Sequence, residues 1–564
     1  MQDRISVYLS SNAKKFVRGI GRNQVSANTR RALNQGNFDF LGSVRRHTEY
    51  KDKLVYNVLF EKYLDSVGLS KPIGYMYANA NTDAELKSVK KYDKTQPLPN
   101  KEAMEISYNW MVRHFNQYMS GSHCVSKEVA LENLDKTTSP GYPWTLMFGS
   151  KNDMVAKMDI GPFLDDYWID LTSGQPPEIG TFWTDSVKAE MRPLAKYEAN
   201  ELRTFCASPI EHSVSLNRVC LDMNNRFYEA GSKNVFWSKV GISKFNLGWN
   251  RLGRKLSKHK QGFALDMSQY DSSVFVEMLI GVMNARKEFL RGTNADMEAL
   301  EKLYNSIINS IMVLCNGDVV QKTTGIPSGS ANTVVDNTMI LQRVLCYCYI
   351  RACMELPEML RKKYLKYEIM MQHVEAALYG DDNTLMISDE IINWFNARVI
   401  AKFADELGMK VTAENDMWDP QPLENLTFLS HGFKMQEKLW VPVPDYDKML
   451  CSLLYGSRQD DPRWHLMRGY ALRIECFFNE RAFDVIEGYI GYVLQTQKKY
   501  LTQGEIAKGV TMEQVQGMFR SVNEIKNLYL SQETKVCLLK GSDNQALLPL
   551  IDFEFNYTDA KTKQ

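Results

Sequence analysis

The hydrophobic pattern is clearest over residues 374–388, VEAALYGDDNTLMIS. Two apolar runs, 376–379 and 384–387, read as buried strands. Gly380, Asp381 and Asp382 fill the gap between them, so a tight hairpin is predicted. A third run, Phe263-Ala264-Leu265, ends at Asp266 and puts a carboxylate at the end of another strand; Asp271 follows shortly after. Residues 323–330, TTGIPSGS, are rich in turn formers. From about Asn332 onward, Val335, Met339, Ile340, Val344 and Leu345 fall at helical spacing. A flexible loop feeding a long helix is expected, with Thr333 and Asn337 on one face. Near the C-terminus, residues 464–497 mix apolar and polar positions with a helical period.

The acids change this picture. Two neighbouring carboxylates repel, and one tends to take a proton unless a cation intervenes. If the 376–387 hairpin pairs beside the strand ending at Asp266, three carboxylates converge: Asp266, Asp381 and Asp382. That set suits two hard, oxygen-seeking ions such as Mg²⁺, as used in in-line phosphoryl transfer. A polar hairpin turn is the plainer alternative.

Composition adds bounds. With 564 residues, 44% of them hydrophobic and 24% charged, the chain reads as folded, with two or three domains or subdomains. The net charge of +1 says nothing about partners, but its distribution does. Residues 1–55 hold eleven basic side chains against four acidic ones, and 250–260 holds five basic residues and no acid. Both stretches suit a polyanion as well as a solvated face. No apolar run is long enough to cross a membrane, and the N-terminus lacks the pattern of a secretory signal. The ten cysteines are scattered; Cys346, Cys348 and Cys353 read as core thiols rather than a zinc site, and a reducing compartment fits.

Taken together, the motifs resemble those of the RNA-dependent RNA polymerases of positive-strand RNA viruses, in the picornavirus-like supergroup. The first is Asp266-x4-Asp271; the second, Ser328-Gly329-x3-Thr333-x3-Asn337; the third, Gly380-Asp381-Asp382 preceded by Tyr379. Their order and separations agree with the family, and SGSANTVVDNT resembles potyvirus and astrovirus polymerases in wording. TTSPGYPW (137–144) is similar to the family's template-entrance loop, KAEMRPLAKYEANELRTF (188–205) to its basic finger, and LTFLSHGFK (426–434) to its primer-gripping hairpin.

The resemblance implies roles. Asp266, Asp381 and Asp382 would be catalytic and hold two Mg²⁺ ions, with Mn²⁺ able to substitute. Asp271, Ser328, Gly329, Thr333 and Asn337 would select the ribose of the incoming NTP, whose 2′-hydroxyl separates RNA from DNA. Lys188, Arg192, Lys196 and Arg203 would bind the triphosphate. Ser139, Gly141, Tyr142 and Pro143 would lie at the template entrance, and Phe428, Leu429 and Ser430 at the primer grip. One departure stands out. Where the family carries a lysine proposed as the general acid, this chain has Glu414, Asn415 and Asp416, and Lys410 is the nearest lysine.

The implied fold is α+β: a closed right hand with fingers, a palm of antiparallel sheet plus helices, and a helical thumb. Fingers would span 1–261, including an N-terminal bridge to the thumb; palm, 262–440, with a fingers insertion at about 285–325; thumb, 441–564. Arg463, Arg468 and Arg473 are candidates for phosphates of the primer strand. The implied partners are RNA template, nascent RNA and NTPs, together with a protein primer and other viral replication proteins. The implied location is host cytoplasm, in membrane-associated replication complexes reached through partners. Excision from a polyprotein after Gln564 is a further expectation. The rival readings are a reverse transcriptase, which usually has a bulky aromatic at the position of Asp271, and a polymerase-shaped RNA-binding subunit without catalysis.

Overall fold

The computed structural model describes residues 24–33, 36–46, 54–77, 79–173, 181–456, 461–503 and 511–532. Most of the basic N-terminal stretch, and Gln564, lie outside these.

The chain is α+β, and its centre is a four-stranded antiparallel sheet. In spatial order the strands are Val374–Tyr379, Asp382–Ile387, Gln261–Ser268 and Lys410–Ala413. The predicted hairpin forms: Tyr379 pairs with Asp382, leaving Gly380 and Asp381 as a two-residue turn. Gly380 takes φ +65°, a conformation a side chain resists, which is why glycine stands there. The hairpin pairs with the strand carrying Asp266, through Thr384 opposite Ala264. Beyond that pair the Asn383 side chain takes over: its Nδ2 donates to the Leu265 carbonyl at 2.9 Å and its Oδ1 accepts from the Leu265 amide at 3.2 Å. An amide side chain thus ties the strands together where they reach the acids.

The helix Thr333–Met354 packs between Lys101–Met119 and Ala397–Asp405. It is buried from Val335 to Ile350 without a break, so its polar residues need internal partners. Asp336 finds them in Arg286, whose Nε and Nη2 donate at 2.9 and 2.7 Å, and in Tyr304, whose hydroxyl donates at 2.7 Å. This fully buried network anchors the start of the helix. Cys346, Cys348 and Cys353 are buried core thiols on the same helix.

A second sheet draws on distant parts of the chain. Its order is Phe38–Ser43, Asp318–Lys322, Ile311–Val313, Phe182–Val187 and Thr204–Ala207. At its edge Ala207 bridges to Gly329. The backbones approach so closely that a Cβ at Gly329 would stand 2.1 Å from the Cys206 carbonyl oxygen. Gly329 is therefore what joins this sheet to the loop ahead of the long helix.

The C-terminal region is helical. Tyr446–Leu454, Pro462–Glu475 and Glu480–Thr496 share one apolar cluster with Phe60, Tyr63 and Leu64 of the early helix Val58–Ser66. Val55–Tyr56 pairs with Tyr455–Gly456, and Tyr75–Tyr77 pairs with Met191–Pro193. One short stretch near the N-terminus thereby links the C-terminal helices to the basic segment 188–205.

Candidate active site

Two clefts meet at Asp266 and Asp381. The larger, about 630 Å³, is lined by Lys188, Arg192, Lys196 and Arg203 on one wall and by Asp271 and Ser328 on another. The smaller, about 470 Å³, adds Asp382, Glu414, Thr427 and Ser430. The two aspartates border both.

The carboxylates carry the electrostatic stress that the sequence suggests. Asp382 is pushed up to about 7, by burial first and then by the charge of Asp381, against the Leu429 amide that donates to its Oδ2 at 3.0 Å. Asp381 reaches water in the cleft, yet the protein walls around it raise its pKa; Asp266 adds to the rise, while backbone amides and Arg203 oppose it. Among the described residues no three acid, histidine or cysteine groups already form a metal cage. The acids face a shared cleft from two strands instead. That arrangement fits Mg²⁺, which keeps several waters and binds through one or two carboxylates plus substrate phosphates. A cation there would also reverse the stress on Asp381 and Asp382.

Asp271 and Asn337 form the hydrogen-bonded set expected of them, the Asn337 amide donating to Asp271 Oδ1 at 2.6 Å. Two atoms beside this pair lack partners: Asn337 Oδ1 and Ser328 Oγ are buried without a hydrogen bond. Such atoms are costly unless a ligand satisfies them. The Thr333 hydroxyl donates to the carbonyls of Ser330 at 2.8 Å and Pro327 at 3.2 Å and so shapes the loop ahead of the helix.

The basic finger is partly self-engaged. Arg203 donates to both oxygens of Glu190, at 2.6 and 2.5 Å. Lys196 pairs with Glu201 at 2.9 Å, and Arg192 donates to the Glu201 carbonyl at 3.1 Å. Lys188 is held below its usual range by burial first and then by neighbouring Arg203. Lys410 is exposed and lines the same cleft.

Of the residues expected at the primer grip, Leu429 and Ser430 form a second two-residue turn, both with positive φ, between Thr427–Phe428 and His431–Gln436. Phe428 is core, and Thr384 donates to the Thr427 carbonyl at 2.7 Å, tying this turn to the Asp381 hairpin. The template-entrance residues differ from one another. Gly141, Tyr142 and Pro143 are buried, with Tyr142 packed on Phe182, so they shape the loop; Ser139 is partly exposed. Arg463, Arg468 and Arg473 are corrected outright. All three are buried and engaged, by Asp461, by the Ser452 carbonyl, and by Glu487 with the Arg520 carbonyl. The 250–260 lysines and arginines mostly serve local contacts, such as Lys255 to the Asn234 carbonyl at 2.7 Å.

Three contributors escaped sequence reasoning. Thr338 accepts the Gly380 amide on its Oγ1 at 2.8 Å and so holds the acidic turn from behind. Lys91 and Lys94 join the basic wall. The lysine run at 87–94 was a signal for the pair; nothing local distinguished Thr338.

The chain belongs to the viral RNA-dependent RNA polymerase family, whose profile matches residues 66–489. Relatives of the chain include several viral genome polyproteins. It is similar to that of Ryegrass mosaic virus, 28% identical over 77% of this chain and 13% of the polyprotein. Genome polyprotein 1 of Barley mild mosaic virus is 27% identical over 74% of this chain and 18% of its own length. The Beet mosaic virus polyprotein is 30% identical over 56% and 10%. The chain thus spans well under a quarter of these three relatives.

Proposed function

We propose that this protein synthesises RNA on an RNA template, joining NTPs to an RNA 3′ end at the cleft between Asp266 and Asp381. One observation carries the reading. The two acids border the same cleft as Asp271, which Asn337 hydrogen-bonds, Ser328 and the four basic residues of the finger. Acids for metal, polar groups for a ribose and cations for a triphosphate are the requirements of nucleotidyl transfer.

Asp266 and Asp381 would hold two Mg²⁺ ions, with Asp382 beside them. When bound, the ions supply activation of the attacking 3′-hydroxyl and charge neutralisation at the departing pyrophosphate. The protein's side chains do the rest. Lys188, Arg192, Lys196 and Arg203 draw in the triphosphate; to do so Arg203 exchanges Glu190 for phosphate oxygens. Asp271, Asn337 and Ser328 meet the ribose hydroxyls. Lys410 is the candidate to protonate pyrophosphate. The Leu429-Ser430 turn seats the 3′ end.

The architecture behind this is a closed right hand with fingers, palm and thumb at the boundaries given above. The link from Tyr455–Gly456 through residues 55–77 to Met191–Pro193 supports the closure. Partners in this reading are template and nascent RNA, NTPs, a protein primer and other viral replication proteins, at membrane-associated sites in the host cytoplasm. No described helix is long and apolar enough to cross a membrane.

The test is primer extension by purified protein on a homopolymer RNA template with Mg²⁺ or Mn²⁺ and either NTPs or dNTPs. Extension with NTPs is expected. A preference for dNTPs would overturn the reading in favour of reverse transcription, and no extension under any condition would favour a non-catalytic RNA-binding subunit.

A further inference from the structure

The smaller cleft is bounded by a turn that ordinary residues adopt reluctantly. Leu429 and Ser430 have φ of 51° and 59°, and neither is glycine. The residue that follows, His431, is buried and sits in an unusual setting. Its Nδ1 lies 2.7 Å from the Leu429 carbonyl oxygen. A carbonyl only accepts, so Nδ1 carries the proton and donates it there. Its Nε2 meets Glu475 Oε1 at 2.8 Å. Both Glu475 oxygens in turn accept from Lys244 Nζ, each at 2.5 Å. Lys244 and Glu475 are as buried as His431.

Three distant segments converge here. Lys244 precedes the helix Gly248–Leu256, His431 begins the strand after the turn, and Glu475 ends the helix Pro462–Glu475. The contacts continue to the catalytic acids, because the Leu429 amide donates to Asp382 Oδ2 at 3.0 Å. Polar contacts from the C-terminal helices thus reach the Leu429 carbonyl, one residue's backbone away from the amide that holds Asp382. Burying such charges brings little stability over a well-packed apolar trio. What the cluster does supply is direction: it fixes one imidazole orientation, and through it the Leu429 carbonyl and the turn that follows.

We propose that Lys244, Glu475 and His431 form a positioning device for RNA synthesis, locking the Leu429-Ser430 turn so that its amide stays on Asp382 and the RNA 3′ end is seated against it. The inference rests on the polymerase reading above. His431 acts through Leu429 and touches no reacting atom.

The test separates the two ring nitrogens. Asn can place its amide nitrogen where Nδ1 sits, whereas Gln reaches toward Nε2. Single-nucleotide extension is measured for wild type, His431→Asn and His431→Gln, varying the RNA primer–template and the NTP separately, with Tm recorded for each. His431→Gln is expected to raise KM for the RNA about tenfold, the worth of one lost hydrogen bond, with KM for NTP and Tm near wild type. His431→Asn should recover most of that loss. The double variant Lys244→Met/Glu475→Met removes the ion pair behind Nε2 while leaving the Nδ1 donor in place, and should show the same rise in KM for RNA. Wild-type KM for RNA in all three variants would overturn the proposal. So would equal losses in His431→Asn and His431→Gln that track a lower Tm, since that marks a purely structural role. A wild-type protein that extends nothing would overturn the polymerase reading itself, and this inference with it.

Discussion

Replacing Asn337 by alanine tests the proposed ribose-reading role of the Asp271–Asn337 pair. The side chain sits on a helix buried all round, so its removal exposes no new surface to water. Two things are lost. The 2.6 Å bond to Asp271 disappears, and so does Oδ1, the buried acceptor without a protein partner. Asp271 already has a raised pKa, from burial first and from Asp381 second, and the Asn337 bond works against that rise. Without it the carboxyl becomes a poorer acceptor for a ribose hydroxyl. A hydrogen bond to a charged group is worth about 1.5–3 kcal/mol, so NTP use should fall by roughly one to two decades. A dNTP lacks the 2′-hydroxyl and never made that bond, so it should lose less and the gap should narrow. The assay is single-nucleotide incorporation of ATP and dATP opposite a template U, mutant beside wild type. An unchanged ATP/dATP ratio would refute the reasoning and leave Asn337 as an ordinary polar position on a helix.

Other perturbations probe separate parts. Arg203→Ala should raise KM for NTP, lower kcat, or both, since phosphate contacts that sharpen in the transition state affect each; unchanged extension kinetics with weaker RNA binding would reassign the finger to the template. Thr338→Val strips the Gly380 amide of its acceptor inside the protein, so stability should fall by about 1–3 kcal/mol by denaturant unfolding, with Thr338→Ser close to wild type. Acid should act through Glu475. Burial alone would raise its pKa, but Lys244 and His431 outweigh burial and hold it at about 2, below the ordinary 4.5. A depressed carboxylate stabilises the fold above its unfolded pKa and loses that contribution as pH falls through its folded one. Thermal melts between about pH 4.5 and 2 should therefore fall more steeply for wild type than for Lys244→Met/Glu475→Met; parallel curves would contradict this.

Legibility followed the range of the interaction. The Asp381 hairpin and the strand of Asp266 were readable because short apolar runs ending in acids are local patterns, and pairing them is a small step. The Asp271–Asn337 bond was readable only through the family resemblance, since 66 positions separate the two residues. Arg463, Arg468 and Arg473 misled because charge normally marks a solvent face, whereas this helix is buried from Arg463 to Glu475 and meets each guanidinium with an internal partner. Thr338 and the Lys244–Glu475–His431 cluster were invisible, because each depends on segments that only the fold brings together.

The most direct test of the central claim is RNA extension by Asp381→Asn and Asp266→Asn beside wild type, with Mg²⁺, NTPs and Tm measured in parallel. Both variants keep the size of the side chain and remove one negative charge from the cleft shared by the two acids. The expected result is loss of synthesis at unchanged or higher Tm, because repulsion is relieved while the ion sites are lost. Elongation at near wild-type rate in either variant would contradict the account.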